Sequence, residues 1–317
     1  MSEAEQSNIS LMASTVLLLL IVLHLLVAAA SAQRVALPGC RDRCGNITIP
    51  YPFGIGADCY RDSDGQDGFQ LECDDDSGRS LPRLTVVGYN HRLGALSLAA
   101  GEARTYLNAT RGCYNSTGGL VDRNRNKSYM SLGMASAYVF SSTKNSLVAL
   151  LGCPNLGYFV DGAGYYVSGC MSVCRPSEYA MPSPCTGVGC CQSEIPPGIT
   201  FFEPQIRNFP LRQDLSLTTN TTSCGYVFIV ENEWFYTDRV FLNRTDDFIV
   251  PLVLDWAVRN VRNCSDARRN ATDFACRSTL SECIDANNSA GYRCNCSAGY
   301  DGNPYLDDGC TGTHHDS

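Results

Sequence analysis

The sequence predicts a mainly β, disulfide-rich, multi-module extracellular protein, and three observations carry that prediction. Eighteen cysteines in 317 residues follow an apolar N-terminal segment, an even count that in an oxidising compartment reads as disulfides with none obliged to stay free. Short β-branched and aromatic runs, Leu84-Thr85-Val86-Val87, Leu147-Val148-Ala149-Leu150-Leu151, Tyr165-Tyr166-Val167 and Gly225-Tyr226-Val227-Phe228-Ile229-Val230, are separated by Gly, Pro, Asn and Asp, the composition of strands and turns. No long stretch keeps an apolar helical period, and Glu231 to Leu242 is the best candidate for a short helix.

Residues 1–32 read as a signal peptide. Leu11 to Val27 is almost wholly apolar, and Ala28-Ala29-Ala30-Ser31-Ala32 supplies a small-residue site for cleavage before Gln33. Glu3 and Glu5 stand where such peptides carry positive charge, so an uncleaved anchor is the alternative, the run being just long enough to span a bilayer. The remainder is enough for two or three modules, and loss of Glu3 and Glu5 takes the net charge from −8 to −6. That mild acidity argues against nucleic acid, anionic lipid or any polyanion held by bulk charge. No C-x2-C occurs, and His91 is the only histidine outside the leader and the tail, so neither a metal nor a cofactor is expected. Beyond the leader, ten N-x-S/T sequons, at Asn46, Asn108, Asn115, Asn126, Asn220, Asn243, Asn263, Asn270, Asn287 and Asn295, agree with export and mark expected surface. Asn263 and Asn295 abut half-cystines.

Cysteine spacing divides the mature chain. A first part, 33–115, holds Cys40, Cys44, Cys59, Cys73 and Cys113; a second, 116–260, holds Cys153, Cys170, Cys174, Cys185, the vicinal Cys190-Cys191, and Cys224. Asp161-Gly162-Ala163-Gly164 between two aromatic runs makes residues 158–167 the best local hairpin. Vicinal cysteines rarely pair with each other, so Cys190 and Cys191 are expected to staple two different segments. The other pairings among these twelve cysteines stay open. A third part, 261–310, has Cys264, Cys276, Cys283, Cys294, Cys296 and Cys310 separated by 11, 6, 10, 1 and 13 residues, with Gly291-Tyr292-Arg293 and Gly299-Tyr300-Asp301-Gly302 between them. This resembles an epidermal-growth-factor (EGF)-like module. The resemblance implies the pairings Cys264–Cys283, Cys276–Cys294 and Cys296–Cys310, staples that so small a module needs. Its lead-in, Arg259-Asn260-Val261-Arg262-Asn263, lacks acidic ligands, so no tight calcium site is expected and the module reads as a structural spacer. A polar tail, 311–317, follows.

Cys40-Arg41-Asp42-Arg43-Cys44-Gly45-Asn46-Ile47-Thr48-Ile49-Pro50-Tyr51-Pro52-Phe53-Gly54, with Cys59 and Phe69-Gln70-Leu71-Glu72-Cys73, resembles the galacturonan-binding domain of plant wall-associated receptor kinases. Cys224-Gly225-Tyr226-Val227-Phe228 and Val250 to Trp256 resemble that family's C-terminal extracellular region, and Gly302-Asn303-Pro304-Tyr305 its EGF module. The resemblance implies an ectodomain that binds pectin or oligogalacturonides at the cell wall, with full-length wall-associated receptors as further partners.

A polyuronate receptor needs spaced cations and aromatic faces. Arg41 and Arg43 would lie on one face of an extended segment, roughly 7 Å apart, and Tyr51 and Phe53 would stack on sugar rings. The plainer reading makes the arginines solvated charge and Pro50-Tyr51-Pro52-Phe53-Gly54 a rigid turn whose aromatics fill a core; for Phe53 it is the weightier. Arg123, Arg125 and Lys127 form a second basic patch with sequon Asn126 inside it, read first as a solvated loop. Asp74-Asp75-Asp76 reads first as a polar turn and second as a calcium site. No G-x-S-x-G, H-E-x-x-H, phosphate loop or kinase signature occurs and no second apolar span follows Cys310, so the chain is expected to be a non-enzymatic wall or apoplastic protein, membrane-associated if the leader stays. The rival function is a protein-interaction module acting through the EGF-like and central cysteine-rich parts.

Overall fold

A computed structural model describes residues 34–62, 66, 68–75, 80–86, 89–115, 119–124, 129–150, 155–173, 185–208, 223–235 and 246–312. The expected signal peptide and tail lie outside these residues, as do Asp76, Arg125, Asn126, Lys127, Cys153, Cys174, Asn220 and Asn243.

Three antiparallel-dominated sheets carry the fold. The largest has seven strands in the spatial order Tyr138–Phe140, Ile249–Trp256, Glu102–Asn108, Tyr89–Ser97, Leu81–Val86, Gln70–Asp74, Gly54–Ile55. A five-stranded sheet runs Cys190–Glu194, Asn145–Leu150, Ser223–Glu231, Thr110–Tyr114, Leu120–Arg123, and a four-stranded sheet runs Met130–Ser131, Phe201–Asn208, Asn155–Val160, Tyr166–Ser172. All four runs expected as strands contribute to these sheets, although Tyr165 belongs to a turn and Val87 and Leu151 lie outside the described residues. The hairpin expected at 158–167 pairs Asn155–Val160 with Tyr166–Ser172, and its turn is held by Asp161, whose Oδ1 accepts from Ala163 N (2.9 Å) and Tyr165 N (2.8 Å). Glu231, expected to open a helix, instead closes a strand; Trp234 and Phe235 both donate their N–H to its carbonyl in a turn. The rest of that expected helix, beyond 235, lies outside the described residues. No helix among the described residues is long and apolar enough to cross a membrane.

Residues on either side of the expected 115/116 division share both large sheets. Ile249–Trp256 inserts between Tyr138–Phe140 and Glu102–Asn108, and Thr110–Tyr114 pairs with Ser223–Glu231 so that Cys113 faces Cys224, to which it is bonded. Fully buried Asn145 ties the sheets together: its side chain donates to Ser141 O and Val253 O and accepts from Val253 N, at 2.7–2.9 Å, so a polar group in the core is satisfied on every side. The four-stranded sheet meets the five-stranded one at Gly157, where a Cβ would come within 2.5 Å of the Ala149 methyl.

Among the described residues the first part carries Cys40–Cys59 and Cys44–Cys73, and the central part Cys170–Cys191 and Cys185–Cys190, so the vicinal pair does staple two segments. The C-terminal part has Cys264–Cys283, Cys276–Cys294 and Cys296–Cys310 around the hairpin Ser281–Asp285/Tyr292–Cys296. Its one described helix, Cys264–Ala267, is N-capped by Asn263, whose Oδ1 accepts from Asp266 N at 2.9 Å.

This C-terminal module is no separate bead, which corrects its reading as a spacer. Tyr305 is buried against Trp256 (centroids 5.9 Å apart), and Trp256 packs in turn on Phe53 (4.9 Å) and Phe69 (6.4 Å), so one aromatic core joins all three parts. Asn303 Nδ2 donates to Val35 O (2.8 Å) and Tyr51 O (2.7 Å). Arg259 reaches Ala137 O (3.0 Å) on one side of the junction and Ala290 O (2.7 Å) on the other.

Candidate functional site: a cationic strip on the seven-stranded sheet

Side chains alternate across a strand, and the register therefore sorts the first part into two faces. Leu71 lies opposite Leu84 and Leu84 opposite His91, on the core side; Glu72 lies opposite Arg83 and Arg83 opposite Arg92, on the outer side. The row Glu72-Arg83-Arg92 thus crosses three strands, roughly 10 Å at the usual strand spacing. Tyr106 on the next strand is 44% exposed, and its ring lies against Gly94, where a Cβ would come within 2.7 Å of the hydroxyl. Only glycine leaves that ring room to lie along the sheet.

Carboxylates organise the strip. Asp74 pairs with Arg83 and stands 3.9 Å from Arg92. Asp75 takes a two-pronged bond from Arg41 (2.7 and 2.9 Å), whose Nε also donates to Arg43 O (2.6 Å). The Arg41 guanidinium holds the Asp75 carboxyl below the usual carboxylate range, and Asp75 in turn raises Arg41. Both described members of the Asp74-Asp75-Asp76 run are thus engaged by arginine, and among the described residues no group of three or more His, Cys, Asp or Glu is placed to hold a metal ion. Two cations stay open. Arg43 is exposed with no ionic partner among the described residues, and Arg92 is 58% exposed with only the distant Asp74.

The four residues singled out from sequence do not form one site. Arg41 and Arg43 belong to the strip, but Arg41 is tethered rather than projecting freely. Tyr51 is half-buried in a cleft against Phe274, Arg61 and Arg277 of the C-terminal junction, where burial pushes its phenol up while Arg61 opposes the shift. Phe53 is fully buried between Phe69, Tyr138 and Trp256; the core takes both faces of its ring, which corrects its reading as a stacking residue. Arg123 lies against Gln205 (3.1 Å), away from this strip, while Arg125 and Lys127 fall outside the described residues. Sequence reasoning passed over Arg83, Arg92 and Tyr106. Their signal was the alternation of polar and apolar positions in Leu81–Val86 and Glu102–Asn108, legible only once those runs are known to be adjacent strands.

Residues 40–97, which supply every arginine of the strip, match a family model described as wall-associated receptor kinase galacturonan-binding. Wall-associated receptor kinase 5 of Arabidopsis thaliana is 31% identical over 277 residues, covering 86% of this chain and 34% of the relative. This is a wall-associated receptor kinase-like ectodomain. Wall-associated receptor kinase-like 17 of the same plant is 26% identical across 98% of the chain and 42% of its own length. The ectodomain spans about a third of the length of the first of these relatives, and the matches fall on a non-catalytic region. They suggest an extracellular, wall-associated protein. No solved structure matches it.

Proposed function

We infer that this ectodomain binds pectic galacturonan through the strip containing Arg41, Arg43, Arg83 and Arg92, with Tyr106 as the stacking face. The observation that carries the reading is the pair of exposed guanidinium groups, Arg43 without an ionic partner among the described residues and Arg92 with only Asp74 at 3.9 Å, within the segment that matches the galacturonan-binding family. A linear polyuronate presents carboxylates at regular intervals, and cations spaced along a sheet edge meet them without bulk positive charge. Guanidinium suits the task because its planar fork matches a carboxylate. The exposed aromatic at one end of the row offers a face to the apolar side of a pyranose.

Polygalacturonate binding is expected to weaken with added salt, because exposed ion pairs are screened over about 8 Å at physiological ionic strength, and to weaken as the carboxylates are methyl-esterified. Replacing Arg43 and Arg92 together by Ala, with the thermal melt shown unchanged, should lower affinity roughly tenfold, since exposed pairs contribute at most about 1 kcal/mol each. Undiminished binding by the double variant would remove the strip from the site.

A further inference from the structure

We propose that the outer face of the four-stranded sheet is a second saccharide platform, built for a neutral, hydroxyl-rich hexopyranosyl chain. The inner face of that sheet is core, with Phe159, Phe202 and Ile206 buried. Alternation turns Tyr158, Phe201 and Gln205 the other way. Register sets Tyr158 opposite Gln205 and Val160 opposite Tyr166, bringing the Tyr158 and Tyr166 rings 6.1 Å apart, with Tyr166 62% exposed. At the other end Tyr129 and Phe201 make a second ring pair at 6.4 Å. Ring faces arrayed along a sheet can stack on the C–H faces of successive sugars, contacts that need no charge.

Beside the Tyr129–Phe201 pair lies a groove of about 430 Å³ lined by both rings, within the usual range of small-ligand sites. Gln205 forms its polar floor, accepting from Arg123 Nη2 (3.1 Å) and donating to Glu203 Oε1 (3.0 Å). Thr110 also lines the groove; it is 2% exposed and its hydroxyl has no hydrogen-bond partner among the described residues. A buried hydroxyl left unpaired costs about 1–3 kcal/mol, and a sugar hydroxyl entering the groove supplies the missing partner. The charges point to a neutral ligand. Arg123 and Glu203 are bridged through one amide, and the Arg207 guanidinium lies over the Tyr158 ring at 5.8 Å. Among the described residues the two arginines of this face are engaged by Gln205 and by the Tyr158 ring, whereas Arg43 and Arg92 of the strip belong to other sheets and to the segment 40–97.

The test uses the full chain with Asn126→Gln, so that no glycan on the sequon between Arg123 and Tyr129 can cover the face. Cellohexaose, mannohexaose and polygalacturonate are titrated by calorimetry against this chain and against versions with Phe201→Ala plus Tyr166→Ala, or Gln205→Ala alone. At least one neutral hexasaccharide should bind, and both platform variants should weaken it tenfold or more while leaving polygalacturonate affinity unchanged. Arg43→Ala with Arg92→Ala should do the reverse. Absence of neutral binding at millimolar sugar, or neutral binding that survives both variants, overturns the proposal. Loss of polygalacturonate binding in Gln205→Ala with an unaltered melting curve also overturns it, because the face would then belong to the uronate site.

Discussion

Arg259 is a cation held by main-chain carbonyls. Its Nε and Nη1 satisfy Ala137 O and Ala290 O, and burial is the main reason its pKa falls to about 10, with Asp255 opposing the shift. It therefore stays charged at neutral pH. Arg259→Met keeps much of the stem but removes the donor to Ala290 O and one of the two donors to Ala137 O, which keeps Ala257 N, and a loss of about 1–3 kcal/mol is expected from urea midpoints. His91 acts in the opposite sense. It faces the core side, its Nε2 has no partner among the described residues, and desolvation lowers its pKa below 6.5. Below that pH the unfolded chain takes up a proton that the folded chain refuses, so stability is lost as pH falls, by at most about 1.4 kcal/mol per unit. His91→Leu should remove this slope: its stability advantage should grow from pH 7.5 to pH 5 in chemical denaturation, and parallel profiles for the two proteins would refute the assignment. Neither role was legible in sequence. An arginine or histidine reads the same whether carbonyls, carboxylates or hydrocarbon surround it, which is also why Arg41 and Arg92 could not be ranked as ligands.

At the scale of elements, the sheets make close contact where side chains are smallest. Gly157 has Ala149 and Val227 within 2.5–2.7 Å of where its Cβ would stand, and all three positions are core. Gly157→Ala should force the two sheets apart and cost about 1–3 kcal/mol, read as a lowered melting temperature; an unchanged melt would mean that the sheets slide freely. The hairpin 158–167 was legible because Asp161-Gly162-Ala163-Gly164 is local turn chemistry, with the Asp161 carboxylate doing the closing. The strand Ser223–Glu231 was legible over Gly225 to Val230, and only its last residue was misread, since the apolar residues after Glu231 mimic a helical period while its strand partner, Asn145 to Leu150, lies far back in the chain.

The whole molecule is interlocked. The EGF-like pairings were implied by a resemblance carried within one short segment, whereas Cys113–Cys224 closes a loop of 111 residues and leaves no local trace. Domain edges suggested by composition likewise cannot show that Trp256, Phe53 and Tyr305 share a core. One consequence is that the EGF-like module cannot be removed cleanly. Asn303→Ala removes the donor to Tyr51 O and one of the two donors to Val35 O, which keeps Tyr51 N, and should lower global stability by about 1–3 kcal/mol. It should also open the N-terminal part to limited proteolysis; cleavage confined to residues 261–310 would show that the module frays alone.

Interleaving also imposes an order on biosynthesis. Glu102–Asn108 finds its partner only when Ile249–Trp256 emerges, and at about 5–20 residues per second this takes roughly 7–30 seconds. Throughout that interval one edge of the nascent sheet is unpaired, a template for wrong strands. Asn108 sits at its end, opposite Ile249, and begins a sequon. A glycan added there while the edge is open would shield it from neighbouring chains, so the sugar at Asn108 would serve the polypeptide as an escort during synthesis before the mature surface exists.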